Sequence, residues 1–106
     1  NRGWNKGSLK DHYGAISDYT KAIEINPQYS QAYLNRGYTK SKLKDYYGAI
    51  SDYTKAIEIN PNDAIGFSNR GLAKGQIGDM NGACDDWRKA SSLGNEIASK
   101  WVRDQC

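Results

Sequence analysis

Apolar residues recur along this chain with the spacing of an α-helix. Within residues 45–59 they return every three or four positions, which places them along one side of a helix: Ala49, Ile50, Tyr53, Ala56 and Ile57. A helical pattern of larger and small residues also occupies residues 32–43. Asn60-Pro61 ends the second helix, because the residue before a proline is pushed out of the helical region. The pattern predicts two antiparallel helices joined at Lys44-Asp45, with Asp45 as a helix cap.

The same helix pair is encoded more than once. The fifteen residues Tyr13–Pro27 recur without change at residues 47–61, an offset of 34 residues. The triplet Asn-Arg-Gly begins at Asn1, Asn35 and Asn69, again 34 residues apart. A period in this range is typical of a solenoid, in which each helix pair buries its apolar side by stacking on the next pair.

Small residues and one aromatic residue hold fixed places in each unit. In the central unit they are Gly37, Ala49, Tyr53 and Ala56, where small side chains let two helix axes approach and the aromatic ring fills the gap. These residues, the period of 34 and the closing prolines resemble the tetratricopeptide repeat (TPR) family over residues 1 to about 93. The resemblance implies an all-α fold, an α-solenoid of stacked antiparallel helix pairs forming a right-handed superhelix with a C-terminal capping helix.

The resemblance also divides the chain. It implies a truncated repeat 1 at residues 1–29, repeat 2 at 30–63, repeat 3 at 64–94 and a capping helix at 95–106. The seven implied helices lie at about 1–9, 11–26, 30–43, 45–59, 64–77, 79–92 and 95–105. Because the first unit lacks its opening positions, we expect the chain to be a fragment or the ordered part of a longer array. Natural duplication and consensus design would both explain units this similar.

The last segment departs from the repeat pattern. Ile97, Ala98, Trp101 and Val102 make one apolar side, which predicts a helix that caps the array. A docking helix for a partner is the alternative.

Two cysteines allow two interpretations. If the cap runs antiparallel to the preceding helix, Cys84 and Cys106 lie at similar distances from the turn between them. They are then neighbours that could form a disulfide in an oxidising compartment. The alternative is that Cys84 is a small core residue. Their spacing does not suit a zinc site, and we expect neither a metal nor a cofactor.

Charge and composition narrow the function classes. The chain has 15 Lys and Arg against 12 Asp and Glu, interspersed, for a net charge of +3. This is weak support for nucleic-acid binding, although RNA stays an alternative because aromatic residues could stack bases. No apolar run is long enough to span a membrane and no signal peptide opens the sequence, so the cytoplasm is favoured. His12 is replaced by Tyr46 in the next unit, and no nucleophile and base pattern indicates an enzyme.

The repeated arginines predict an internal ion pair. Arg2, Arg36 and Arg70 stand where the family usually has leucine. A charge at a core position needs a partner, because an unpaired buried charge is costly. We therefore expect Arg36 to pair with Asp52.

By the same resemblance, the first helices of successive units line a concave groove that binds an extended peptide of a partner protein. The implied groove residues are Asn1, Trp4, Gln31, Leu34, Asn35, Tyr38, Lys42, Ile65, Ser68, Asn69 and Leu72. The repeated asparagines would form a ladder whose amides pair with a peptide backbone, or they merely lie on a solvated side. Apolar anchors beside Lys42 predict a ligand with apolar side chains and some negative charge.

The family offers two other uses of such an array. Some family members hold chaperone C-terminal carboxylates with lysine, arginine and asparagine at set groove positions. Only Asn35 matches here, whereas Gln31, Leu34, Tyr38 and Ile65 occupy places that need polar or charged side chains. Chaperone tails are therefore not predicted as ligands. End-to-end self-association through the truncated first unit is the structural alternative.

Overall fold

A computed structural model describes residues 9–106, with side chains from residue 11 onward. The helices are α1 (Leu9–Ile25), α2 (Ser30–Lys42), α3 (Tyr46–Ile59), α4 (Ala64–Gln76), α5 (Met80–Ser92) and α6 (Glu96–Gln105). Each helix packs on the next in the chain, and α2 also meets α4. The predicted all-α solenoid of stacked helix pairs is thereby confirmed.

The helix boundaries agree with the sequence predictions to within one residue from α2 to α6. The start of α1 differs, because Lys10 is helical where a turn was predicted. Lys44, at the equivalent place in the next unit, adopts φ 66°. A residue with a side chain takes this left-handed conformation at a cost, which a helical Lys10 avoids. The predicted helix at residues 1–9 lies outside the described residues except for its last position.

Side-chain caps and left-handed residues mark the turns between helices. Four helices begin behind a residue whose side-chain oxygen accepts a hydrogen bond from a backbone N–H three positions later: Asp45, Asp63, Asp79 and Asn95. This confirms Asp45 as a cap. Gly78 and Gly94 adopt φ 90° and 101° in the α4–α5 and α5–α6 turns, at the position that Lys44 fills in the α2–α3 turn. Glycine takes this conformation without the cost that a side chain imposes.

The core confirms the close-packing set. Tyr53 is 1% exposed and packs with Leu34, Ala49 and Ala56. Gly37 gives its ring room, since a Cβ added there would lie 2.9 Å from the Tyr53 Cε1 atom. Burial raises the pKa of the Tyr53 hydroxyl. The helices of a pair therefore approach closely only because one of them lacks a side chain at this point.

The predicted pairing of Arg36 with Asp52 is confirmed. The Arg36 Nε and Nη2 atoms each donate to one Asp52 carboxylate oxygen at 2.8 Å, and Lys40 Nζ lies 3.2 Å from Oδ2. Arg36 Nη1 donates to Thr20 Oγ1 in the preceding unit at 3.2 Å. The hydrogen bonds from Arg36 to Asp52 raise the pKa of Arg36. One arginine thus joins the two helices of its own pair to the pair before it.

The same network recurs one unit later. Arg70 donates to both carboxylate oxygens of Asp86, Lys74 lies 3.2 Å from the same carboxylate, and Arg70 Nη1 donates to Thr54. The repetition shows that the arginine at the family's leucine position is part of the scaffold.

The last helix packs as a cap on α5. Ala98 is fully buried, and the Trp101 ring lies 5.3 Å from the Trp87 ring. Ile97 is 62% exposed, so it does not belong to the packed side as predicted; it lies one residue, and thus about 100° of helix rotation, from Ala98. A disulfide bond joins Cys84 to Cys106 across a Cα–Cα distance of 5.9 Å.

Candidate functional site

A cavity of about 240 Å³ opens where the C-terminal halves of α2 and α4 face each other. We call it cavity A. It brings together four of the predicted groove residues, Tyr38 and Lys42 from α2 with Asn69 and Leu72 from α4. Tyr38 and Leu72 are 52% and 42% exposed, so both offer surface to a ligand.

A second cavity, of about 410 Å³, lies between α1 and α2. We call it cavity B. Five of its lining positions stand 34 residues before positions that line cavity A: His12, Tyr19, Tyr38, Thr39 and Lys42 precede Tyr46, Tyr53, Leu72, Ala73 and Gln76. The repeat therefore forms the same cavity twice, with different side chains.

Tyr38 and Lys42 line both cavities and form the ridge between them. The Lys42 Nζ atom lies 4.9 Å from the centre of the Tyr38 ring, a cation–π contact within one helix. Lys42 is exposed, whereas Lys40 and Lys74 are each bound to an aspartate. The ridge thus presents an aromatic ring and a positive charge to solvent.

The other predicted groove residues that the structure describes line neither cavity A nor cavity B. Gln31 Nε2 donates to Asn35 Oδ1 at 3.0 Å in the first half of α2, and Ile65 is 56% exposed at the start of α4. Asn1 and Trp4 lie outside the described residues. Within the described residues the asparagine ladder runs from Asn35 to Asn69, and Asn69 lines cavity A whereas Asn35 lines neither cavity A nor cavity B.

Two predicted groove residues are buried instead. Leu34 is 7% and Ser68 is 6% exposed, and Leu34 packs against Tyr53 in the core. They occupy equivalent places in successive units, one residue before the asparagines. A step of one residue turns a helix by about 100°, which carries these side chains from the groove into the packed interior. Both side chains therefore lie in the packed interior and not on the groove surface where they were predicted.

Sequence reasoning missed the second-helix residues at the base of the cavities. Tyr46 and Tyr53 line cavity A, and His12 and Tyr19 line cavity B. The signal that could have found them is the 34-residue offset that relates His12 to Tyr46 and Tyr19 to Tyr53. It places equivalent positions at the base of both cavities. The Tyr53 hydroxyl lies 3.4 Å from Ser41 Oγ at this base, so it joins the core to the groove wall.

The described residues hold neither a metal-binding cluster nor a membrane-spanning helix. Residues 11–106 contain no cluster of three side chains suited to hold a metal ion. None of the helices α1 to α6 is long and apolar enough to cross a membrane.

Comparison with known proteins identifies the repeat. Sequence profiles described as "Tetratricopeptide repeat" match residues 30–63 and residues 1–29. No curated protein sequence matches the chain.

Solved structures give the same result for the fold. The first TPR of Spaghetti (RPAP3), bound to the HSP90 peptide SRMEEVD, is 25% identical with a TM-score of 0.84, covering 97% of this chain and 83% of that one. The second TPR domain of human RPAP3, in complex with the HSP70 peptide SGPTIEEVD, is 27% identical with a TM-score of 0.83, at coverages of 97% and 88%. The Arabidopsis OM64 TPR domain is 27% identical with a TM-score of 0.83, at coverages of 99% and 91%. The chain belongs to the tetratricopeptide repeat family.

Proposed function

We propose that this chain is a non-catalytic interaction module that binds an extended peptide segment of a partner protein in the groove between α2 and α4. Cavity A is the observation that carries the proposal. It lies between the first helices of successive repeats, and its wall contains exposed apolar and aromatic side chains beside polar groups. A few polar groups at an apolar cavity are the usual composition of a specific ligand site.

The comparisons support a peptide as the class of ligand. Two similar TPR domains were solved with short peptides whose sequences end in Glu-Glu-Val-Asp. Their ligands combine apolar and acidic residues, which is the chemistry that Lys42, Tyr38 and Leu72 favour here.

We do not extend the proposal to chaperone tails. The chaperone clamp holds a terminal carboxylate with several cations at set groove positions, whereas here Arg36 and Lys40 are bound to Asp52 and Lys42 is the one lysine or arginine that lines cavities A and B. Arg70 and Lys74 are bound to Asp86 in the same way. Ile65 stands where the chaperone clamp needs a charged or polar side chain. The partner is therefore a protein whose bound segment is recognised away from a free C-terminus.

The proposal is tested by selecting peptides from a displayed random library on the unmodified chain. Selected peptides are then titrated by fluorescence anisotropy against a Tyr38→Ala/Leu72→Ala double variant. Both side chains are about half exposed, so their truncation should leave far-UV circular dichroism unchanged. We expect affinity to fall at least about tenfold, because burying one such apolar side chain against a ligand contributes about 1.5 kcal/mol or more.

The matched control is Ile97→Ala, which truncates an exposed apolar residue on α6, away from both cavities. This variant should bind the selected peptides as the unmodified chain does. A library that yields no binder, or binders that the double variant holds equally well, would refute the groove as a peptide site.

A further inference from the structure

The two cavities are lined by equivalent positions of successive repeats, but the side chains at these positions differ in chemistry. At equivalent positions, cavity A has Leu72 and Ala73 where cavity B has Tyr38 and Thr39. From cavity A to cavity B, hydroxyl-bearing side chains thus replace an aliphatic wall. Cavity A is therefore the more apolar of the two at these positions, and its Leu72 side suits an apolar side chain of a ligand.

Charge distinguishes the cavities further. Lys42 is the single charged residue that lines cavity A, and it stands on the side nearest cavity B, whose lining includes Lys42 and Asp11. The position equivalent to Lys42 on the far side of cavity A is the neutral Gln76. The positive charge thus lies at one end of cavity A only, which gives the groove a polarity along its length.

The spacing of the cavities matches a short stretch of extended peptide. Cavities A and B lie on either side of the Tyr38–Lys42 ridge of α2, and a helix with its side chains is roughly 10–12 Å across. An extended chain advances about 3.3 Å per residue, so about three residues lead from one cavity to the other. A side chain seated in cavity A leaves the next few residues of the peptide beside Lys42.

We propose that the groove recognises one peptide pattern: an aliphatic or aromatic side chain that enters cavity A, and an acidic residue within about three positions of it that pairs with Lys42. This inference rests on the proposed function. It adds the residue types that the ligand must carry and the register in which it lies. The asymmetry of charge around Leu72 carries the register, because Lys42 stands on one side of cavity A and the neutral Gln76 on the other, so the acidic residue of the peptide meets a cation on one side only.

The probes are synthetic peptides on a Gly/Ser background with one leucine and one glutamate two residues apart, made in both orders. In one counterpart lysine replaces the glutamate, and in another serine replaces the leucine. They are titrated into the whole chain while amide chemical shifts are followed by NMR, which detects weak binding. We expect the leucine–glutamate peptide to bind about tenfold more tightly than either counterpart, in the range of one buried side chain or one close charge pair.

Two variants locate the contacts. Lys42→Glu should reverse the preference, so that the lysine peptide binds more tightly than the glutamate peptide. Leu72→Ala should reduce the leucine peptide to the affinity of its serine counterpart. The matched controls are Lys89→Glu and Ile97→Ala, which make similar changes at exposed residues outside both cavities and should leave all affinities unchanged.

The outcomes separate this inference from the proposed function. Peptides that bind at Leu72 with equal affinity whether they carry glutamate or lysine overturn the recognition pattern and leave peptide binding standing. Equal loss with Lys89→Glu and Lys42→Glu reveals a general charge effect and also overturns it. If neither these probes nor any selected peptide binds, or if oligouridine alone shifts the groove resonances, the proposed function itself fails.

Discussion

Replacing Asp86 with asparagine should destabilise the chain far more than the same replacement at the adjacent Asp85. Asp86 is 4% exposed and its two oxygens accept hydrogen bonds from Arg70 at 2.8 and 2.7 Å, with Lys74 at 3.2 Å. Asparagine keeps the shape but removes the negative charge, and its NH₂ group would face the guanidinium. Asp85 carries the same side chain on the same helix, 77% exposed and 3.3 Å from Arg88.

The magnitudes follow from this difference in burial. Removing one partner of a buried ion pair costs about 3–5 kcal/mol, because the remaining charge is left uncompensated. The Arg70 and Lys74 side chains are 18% and 22% exposed, so water screens part of the charge that Asp86→Asn leaves uncompensated. We therefore expect this substitution to lower the free energy of unfolding by about 3 kcal/mol. An exposed pair such as Asp85–Arg88 contributes little, so Asp85→Asn should cost less than about 0.5 kcal/mol.

Urea unfolding followed by far-UV circular dichroism at neutral pH measures both free energies. A domain of this size has a stability of about 5–15 kcal/mol, so a loss of about 3 kcal/mol is well resolved. The comparison requires equal m-values, because a change in m would mean that cooperativity had changed. Equal destabilisation by Asp86→Asn and Asp85→Asn would refute the role given to the buried network.

Three other regions give further predictions. Tyr53→Ala should cost about 3–5 kcal/mol of unfolding free energy and Tyr53→Phe about 1 kcal/mol, because only the first empties the core; similar values in urea unfolding would contradict the packing. Burial raises the Tyr53 pKa above its ordinary value near 10, so the free energy of unfolding should fall as the pH rises beyond about 10. The fall should be smaller in Tyr53→Phe, and urea unfolding at a series of alkaline pH values measures it. Gly37→Ala should destabilise the chain by about 1–3 kcal/mol, because the added Cβ meets Tyr53. Gly14→Ala should stabilise it by about 0.5–1 kcal/mol, because Gly14 lies within α1 and an added Cβ there meets no atom within 4 Å. Thermal melts measure both changes, and a shift in the opposite direction for either variant would contradict the packing. Reducing the Cys84–Cys106 bond, whose ends are 22 residues apart, should cost about 3 kcal/mol, measured by unfolding with and without reductant; an unchanged midpoint would argue against the bond in solution.

Local rules explain why the fold was predictable. An unchanged fifteen-residue segment and a 34-residue period fix the helix pair, and the proline and aspartate signals fix its ends to within one residue. The Arg36–Asp52 pair was also predictable, because a charge at a core position demands a partner. The helical conformation of Lys10 was not predictable, since the equivalent lysine in the next unit, Lys44, lies in a turn.

The site was predictable in part. Tyr38 and Leu72 were located by their place in the repeat, and the structure puts both at cavity A. Leu34 was placed in the groove and not in the core because an apolar residue suits either location. The sequence pattern does not fix the rotation of the helix finely enough to separate the two. The tyrosines at the cavity base were missed because they belong to second helices, which the groove argument did not include.

Differences between the repeated units point to the same surface as the cavities do. Residues 13–27 and 47–61, which supply most of the second helices α1 and α3, are identical. The first helices keep the arginine and glycine that packing requires, yet Tyr38 becomes Leu72 and Lys42 becomes Gln76 where the cavities are lined. Identical units would present identical cavities and could not fix the register of a ligand. These substitutions, together with Thr39 to Ala73 and His12 to Tyr46, distinguish one cavity from the other while the scaffold stays the same, which is why we place recognition at the ridge formed by Tyr38 and Lys42.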